Sequence, residues 1–135
     1  MSINNGEKLT ICYIDVNDLK KINDTYGHGE GDELIINIIN ILRSSIRSSD
    51  IISRLGGDEF IVIFPKTDLI TAYEIRKRIH VNLQKYNFIS QKTYKISFSM
   101  GFIEYDHQKH ISPENLISEA DKEMYKDKFT YKTIL

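Results

Sequence analysis

The feature that most constrains this chain is the dipeptide Gly56-Gly57, which separates two apolar runs at residues 51–52 and 60–64. Glycine reaches positive φ without a Cβ penalty, so a glycine pair between β-branched and aromatic residues predicts a tight β-hairpin turn. Two carboxylates, Asp58 and Glu59, follow this pair directly. Adjacent strand residues point to opposite faces of a sheet. The second acid is not explained by the turn, and we expect one of the two to face a cleft.

Length and composition predict one ordinary globular domain. The chain has 135 residues, of which 41% are hydrophobic and 27% charged, and this is enough for a single core. The net charge of -1 argues against a nucleic-acid partner or an anionic membrane surface. Cys12 is the only cysteine, so no internal disulfide can form, and we expect a reducing, cytoplasmic location. No apolar stretch is long enough to cross a bilayer, which predicts no membrane association through this domain.

Hydrophobic periodicity predicts alternating strands and helices. In chain order we expect a strand at 9–15, a short helix at 19–26 closed by Gly27, a longer helix from about 29, hairpin strands at 51–55 and 60–64, a helix at 69–86, a strand at 94–102, and a helix that begins at Ser112-Pro113 and ends near 128. This order predicts an α/β fold with a mixed central sheet and helices on both faces. In such a sheet we expect Asp15, at the end of the first strand, beside Asp58.

Six blocks of the sequence together resemble the signature of GGDEF domains, the diguanylate cyclase family. The blocks are Asp15-Val16-Asn17-Asp18-Leu19-Lys20, Asn23-Asp24-x-x-Gly27-His28, Gly31-Asp32, Arg54-x-Gly56-Gly57-Asp58-Glu59-Phe60, Ser97-x-Ser99-x-Gly101 and Ala120-Asp121-x-x-Met124-Tyr125-x-x-Lys128. The resemblance implies a ferredoxin-like core, similar to nucleotide cyclases and polymerase palms. It also implies an enzyme that condenses two GTP into cyclic di-GMP and releases pyrophosphate, acting as a homodimer in which each protomer holds one GTP.

The same resemblance implies a divalent-metal site, with two Mg²⁺ or Mn²⁺ ions per GTP. Asp15, Asp58 and the backbone carbonyl of Val16 match the metal ligands, and Asp58 or Glu59 matches the group that helps to deprotonate the attacking 3′-hydroxyl. Oxygen ligands of this kind suit Mg²⁺ in phosphoryl transfer. Taken singly, Asp15 also fits an acid at a strand end and Asp58 fits a turn residue, while Glu59 also fits an ion pair with a nearby base.

Four residues match the family's GTP contacts. Asn23 and Asp32 match its guanine readers, and a carboxylate suits this role because guanine offers both N1–H and an exocyclic amine. Lys128 and Lys132 match the residues that hold the phosphates. The structural alternatives are a helix-end polar residue for Asn23, a helix N-cap for Asp32, and a lysine that stabilises a helix C-terminus for Lys132.

A second site is implied by Arg47-Ser48-Ser49-Asp50, which stands just before the hairpin at the family's spacing for its product-inhibition motif. There cyclic di-GMP binds and restrains the cyclase, and an arginine can hold a phosphate or a guanine edge with two hydrogen bonds. Arg78 stands where the family often has a secondary arginine for this site. The structural alternatives are a helix C-terminal arginine, a turn aspartate and a surface arginine.

The match departs from the family pattern at a few positions. Asn17 replaces the second acid of the first block, Leu19 replaces a phenylalanine, and Tyr131 stands where the family has a glycine before Lys132. We expect residues 1–135 to form a single GGDEF domain without the helix that usually precedes its first strand. The alternative function is a regulatory module that binds GTP or cyclic di-GMP without making product.

Overall fold

The computed structural model describes the backbone of residues 7–134 and the side chains of residues 7–130. Four strands and four helices follow one another as β1 (Leu9–Val16), α1 (Leu19–Tyr26), α2 (His28–Ser45), β2 (Ile51–Arg54), β3 (Glu59–Pro65), α3 (Leu69–Ile89), β4 (Phe98–Glu104) and α4 (Pro113–Ile134). This is the element order that the sequence predicts. Within the described backbone, none of these helices combines the length and the apolar character that a membrane crossing needs.

The strands form one sheet in the order β2-β3-β1-β4. The α/β class, the helices on both faces and the ferredoxin-like core are confirmed. The sheet itself is not mixed, because all three described strand pairs are antiparallel. Strands β1 and β2 run in the same direction, and so do β3 and β4. In each case a strand of opposite direction lies between the two, so no parallel strands are neighbours in this sheet.

The sheet is buried on both faces because apolar residues of β1 alternate between two cores. Cys12, Ile14 and Val16 pack into the larger core, which α1, α2 and α3 cover. Ile11 and Tyr13 face the smaller core under α4. Side chains two residues apart on a strand share a face. The face that carries Tyr13 therefore also carries the side chain of the next odd-numbered residue, at position 15.

Local signals position the helices close to their predicted bounds. Asp68 caps α3 by accepting a hydrogen bond from the Thr71 amide at 2.8 Å, and Ser112 caps α4 by accepting one from the Asn115 amide at 3.2 Å. Helix α4 runs six residues beyond the predicted end at Lys128, as far as Ile134. Strand β4 begins at Phe98 rather than at residue 94.

The late start of β4 has a local cause. Ile96 does not pair with a strand, because the side-chain amide of Asn87 takes both of its backbone groups. Asn87 Nδ2 donates to the carbonyl of Ile96 and Asn87 Oδ1 accepts from its N–H, each at 2.8 Å. Residues 90–97 consequently form a loop that connects α3 to β4.

Candidate active site

The two acids expected to meet do converge at one edge of the sheet. Antiparallel pairing of β1 with β3 places Asp15 opposite Glu59. Beyond that pair, the N–H of Val16 donates to the carbonyl of Asp58 at 2.8 Å. The predicted position of Asp15 beside Asp58 is confirmed, and the cause is the insertion of β3 next to β1.

Asp15 is held in an environment that favours a bound cation. Its Oδ2 accepts from Lys128 Nζ at 2.7 Å, whereas its Oδ1 is buried and has no hydrogen-bond partner. Burial raises the pKa of this carboxyl; Lys128 opposes the rise, and the charges of Asp58 and Glu59 add to it. A buried carboxylate oxygen without a partner is costly, so a cation at this edge would relieve an existing deficit.

Glu59 shares a face with Asp15 and has a partner that sequence reasoning missed. The hydroxyl of Tyr13 donates a hydrogen bond to Glu59 Oε2, and the Tyr13 ring is buried under α4. Burial raises the pKa of Tyr13, and so do the hydrogen bond that its hydroxyl donates to Glu59 and the charge of that carboxylate. The sequence did contain a signal for this contact, because Tyr13 lies two residues before Asp15 and therefore on the same face of the predicted strand. The expected alternative, an ion pair between Glu59 and a base, is absent from the described contacts.

The loop between β2 and β3 differs from the two-residue turn that the glycine pair predicts. The strands end at Arg54 and resume at Glu59, and neither Gly56 nor Gly57 has the positive φ of such a turn. Arg54 instead anchors the loop by donating to the carbonyls of Gly56 at 2.9 Å and Gly57 at 2.7 Å. A Cβ at Gly57 would meet no protein atom within 4 Å. These glycines therefore leave the loop surface open, and the backbone conformation does not require them.

The oxygens at this edge are of the kind that bind a divalent cation such as Mg²⁺. Within residues 7–130, no group of three or more His, Cys, Asp or Glu side chains is arranged to hold a metal ion. Mg²⁺, however, commonly binds through one or two carboxylates and takes its remaining ligands from water and substrate phosphates. Asp15, Asp58 and the Val16 carbonyl provide such an incomplete set, and the partnerless Oδ1 of Asp15 fits a cation.

The corner between α1 and α2 carries the second buried oxygen without a partner. Asn23 Oδ1 is buried and accepts no hydrogen bond, and the backbone of Gly31 lies directly against it, because a Cβ at Gly31 would fall 1.7 Å away. Gly27, with φ of 95°, separates the two helices. Helix α2 begins at His28 with Gly27 as its N-cap, so the N-cap alternative for Asp32 is wrong. Asp32 is exposed on α2.

The two lysines of α4 are only partly described. The helix extends far enough to include both Lys128 and Lys132. Lys128 reaches the edge of the sheet through its ion pair with Asp15. The side chain of Lys132 lies outside the described residues, so its phosphate contact stays a prediction.

The second predicted site has the expected pair at its centre. Arg47 donates through Nη2 to Asp50 Oδ1 at 2.9 Å and through Nε to Oδ2 at 3.2 Å, and the Asp50 side chain is fully buried. Arg47 and Asp50 line a cavity of about 350 Å³ together with Arg43. Arg43 was missed as part of this site, although it lies four residues before Arg47, in the last turn of α2. Arg78 is exposed on α3 and does not line this cavity.

Comparison with known proteins gives consistent results. The family model described as "Diguanylate cyclase, GGDEF domain" matches residues 2–132. Diguanylate cyclase A of Treponema denticola is 33% identical over 123 residues, covering 90% of this chain and 33% of its own length. The response regulator PleD of Caulobacter vibrioides is 33% identical over 126 residues, covering 91% of this chain and 28% of its own. The chain thus spans about a third or less of these relatives.

Solved structures share the fold. The GGDEF domain of TpbB from Pseudomonas aeruginosa superposes with a TM-score of 0.81 at 33% identity, over 92% of this chain and 73% of that one. The GGDEF domain of DgcB from Caulobacter crescentus, solved in complex with c-di-GMP, superposes with a TM-score of 0.81 at 25% identity, over 93% of this chain and 74% of that one.

Proposed function

Because the chain belongs to the diguanylate cyclase GGDEF family, we propose that it binds GTP and condenses two GTP into cyclic di-GMP with release of pyrophosphate. One observation carries this proposal. Within the described residues, two buried side-chain oxygens have no hydrogen-bond partner, Asp15 Oδ1 and Asn23 Oδ1. The family pattern assigns Asp15 to the metal and Asn23 to the guanine base. Each oxygen that lacks a hydrogen-bond partner therefore belongs to a residue expected to contact the nucleotide or its metal ion.

The reaction is a phosphoryl transfer, in which positioning and charge neutralisation do most of the work. The 3′-hydroxyl oxygen of each GTP forms a bond to the α-phosphorus of the other, and at each phosphorus the bond to the pyrophosphate group breaks. The two transfers close the ring and release two pyrophosphates. Mg²⁺ or Mn²⁺, two per GTP, would neutralise charge on the phosphate oxygens. Asp15, Asp58 and the Val16 carbonyl would hold these ions. Asp58 or Glu59 would accept the hydroxyl proton, and Tyr13 would orient Glu59 through its hydrogen bond.

Recognition of the base would lie at the corner between α1 and α2. Asn23 provides a buried acceptor that lacks a donor, and the exposed carboxylate of Asp32 can accept from N1–H and the exocyclic amine of guanine. Lys128 and Lys132 would hold the phosphates. Each protomer would bring one GTP to a homodimer, and the cytoplasm, where GTP is available, is the expected location.

We also propose that the cavity beside Arg47 and Asp50 binds cyclic di-GMP and restrains the enzyme. Asp50 and the Thr67 hydroxyl hold the Arg47 guanidinium through Nε and Nη2, Arg47 lines the cavity, and Arg43 adds a second cation to its lining. Arginines that present paired donors suit phosphate and guanine edges. Arg78 remains a candidate for a supporting contact. The c-di-GMP complex of the relative DgcB supports the choice of ligand.

The test is direct. Concentrated protein is incubated with GTP and Mg²⁺, and cyclic di-GMP and pyrophosphate are measured, with and without a fused coiled coil that enforces dimerisation. The expected result is two pyrophosphates for each cyclic di-GMP from wild type and a loss of both products in Asp58→Ala. GTP binding without product in the dimerised form would overturn the enzyme assignment in favour of a regulatory module that only binds the nucleotide. Absence of GTP binding would refute both the enzyme and a module that binds GTP, and would leave only a module that binds cyclic di-GMP.

A further inference from the structure

The first turn of α2 is tied to the loop at residues 90–97 through one acid. Glu30 Oε1 accepts from the hydroxyl of Tyr94 at 2.6 Å and pairs with Lys92 Nζ at 2.6 Å. Lys92 also reaches Glu33 at 3.1 Å, one turn further along α2. Both partners lower the pKa of Glu30, so this carboxylate is anionic at neutral pH. We name the set Glu30, Lys92 and Tyr94 the corner clamp.

The same loop also holds the end of α1. The ring of Tyr94 packs against that of Tyr26 with centroids 5.2 Å apart, and the hydroxyl of Thr93 donates to the Tyr26 hydroxyl at 2.9 Å. Tyr26 is the last residue of α1, and Glu30 lies in the first turn of α2. The loop therefore contacts the end of α1 and the start of α2, on either side of Gly27, where the chain changes direction.

The opposite end of the loop is attached to the sheet. The amide of Asn17 donates to the Ser97 carbonyl at 2.9 Å, and Asn17 Nδ2 donates to Ser97 Oγ, also at 2.9 Å. The side chain of Asn17 then accepts from Ser99 Oγ at 3.1 Å. Asn17 follows Asp15 and Val16 directly, so one short loop connects the corner between the helices with the edge that carries the acids.

The clamp acts on the two candidate guanine readers through the backbone. Glu30 precedes Gly31, whose backbone lies against the Asn23 amide, and Asp32 follows Gly31. Asn23 and Asp32 belong to different helices, so their spacing depends on the angle between α1 and α2. An eight-residue helix such as α1 is not stable by itself, and external contacts must therefore set that angle.

We infer that Glu30 is a positioning residue for guanine recognition. Its contacts with Lys92 and Tyr94 fix the corner between α1 and α2, and this keeps Asn23 and Asp32 far enough apart, and no further, to contact the same guanine base. This inference rests on the proposed function. Glu30 touches neither substrate nor metal in this scheme. It determines base specificity through the relative position of two other side chains.

The experiment compares guanosine and inosine triphosphates whose α–β bridge cannot be cleaved. Inosine lacks the exocyclic amine, so the ratio of the two dissociation constants reports the contact at Asp32 and cancels the contribution of the phosphates. Calorimetric titrations with Mg²⁺ are carried out on wild type, Glu30→Ala, Glu30→Gln and Tyr94→Phe. Glu74→Ala is the matched control, because it removes an exposed ion pair with Lys77 on α3.

Wild type is expected to prefer the guanosine compound. Glu30→Ala should weaken guanosine binding by roughly three- to tenfold, the size of one lost hydrogen bond to the exocyclic amine, while inosine binding changes by less than twofold. Glu30→Gln should recover part of the preference, because its carbonyl can still accept from Tyr94. Glu74→Ala should match wild type. If Glu30→Ala fails to fold, Tyr94→Phe serves in its place, because it removes one hydroxyl and keeps the ring contact. This variant must still show a smaller preference for the guanosine compound over the inosine compound than wild type.

Two outcomes would be decisive against these assignments. A wild-type preference for guanosine that Glu30→Ala and Tyr94→Phe leave intact, or equal losses for both nucleotides, would overturn the role of Glu30 alone. A wild-type protein that does not distinguish the two nucleotides would instead refute the proposed base recognition, and with it the proposed function.

Discussion

Replacing Gly31 with alanine should remove guanine recognition while leaving the protein folded. A Cβ at Gly31 would lie 1.7 Å from Asn23 Oδ1, 2.7 Å from its Cγ and 3.2 Å from its Nδ2. Real Cβ contacts are not this short, so one side must move. The backbone of α2 is fixed by its own hydrogen bonds, whereas the Asn23 amide is the end of a flexible side chain. We therefore expect Asn23 to leave its buried position.

Gly31→Ala should change protein stability little and GTP affinity much more. Alanine in place of a glycine within a helix gains up to about 1 kcal/mol in helix propensity. At the buried Gly31 this gain opposes the cost of forcing the Asn23 side chain off its rotamer, about 0.5–1.5 kcal/mol. The free energy of unfolding of Gly31→Ala should thus stay within about 1 kcal/mol of wild type. Losing the contact with the buried Asn23 oxygen leaves a donor of the base unpaired, which costs about 2 kcal/mol. This corresponds to a roughly 30-fold rise in the dissociation constant of GTP.

The chain provides a matched control two residues away. A Cβ at Gly29 would meet no atom within 4 Å, so Gly29→Ala makes the same substitution in the same helical turn without displacing Asn23. We expect it to raise the free energy of unfolding slightly and to leave GTP affinity unchanged. Urea unfolding and calorimetric titration with a non-hydrolysable GTP analogue measure both quantities.

The reasoning would be refuted by either of two results. If Gly31→Ala bound GTP within twofold of wild type, the Asn23 position would not matter for the base. If Gly29→Ala lost affinity to the same extent, the effect would come from helix stiffness rather than from the displaced amide.

Three further predictions follow from other parts of the structure. Arg47→Ala should abolish cyclic di-GMP binding, measured with the active site filled by a GTP analogue, and spare GTP binding; an unchanged product affinity would remove the second site. Burial raises the pKa of Asp15, so the metal-free fold holds this proton more tightly than the unfolded chain and loses stability as pH rises through the folded pKa. Asp15→Asn should then match wild type near pH 3 and be more stable at pH 7 in urea with EDTA, whereas a less stable variant would show that the Lys128 ion pair outweighs burial. Gly101→Ala should lower the free energy of unfolding by about 3 kcal/mol, because its Cβ would lie 2.1 Å from the backbone nitrogen of Met124 in α4; an unchanged urea midpoint would contradict this.

Much of the candidate site could be predicted because its signals are local. Apolar spacing and the caps at Asp68 and Ser112 reflect short-range physics, so the element order and the fold class were predictable. The ordered blocks around Asp15, Asn23 and Asp58 identified the family from residues alone. The local pattern gave the wrong backbone conformation at Gly56-Gly57, where it predicted a two-residue turn. The loop there is longer and is anchored by Arg54, which lies outside the glycine pair.

The tertiary structure alone decided which side chains meet. Pairing of β1 with β3 rather than with β2 made the sheet antiparallel, and its register placed Tyr13 and Asp15 on one face with Glu59. The contact of Glu30 with Lys92 and Tyr94 joins segments about sixty residues apart. Sequence patterns report the periodicity of each segment, whereas register and long-range contacts depend on how whole elements pack together. The same pattern is compatible with several packing arrangements, and the one that buries the apolar surface best is the most stable.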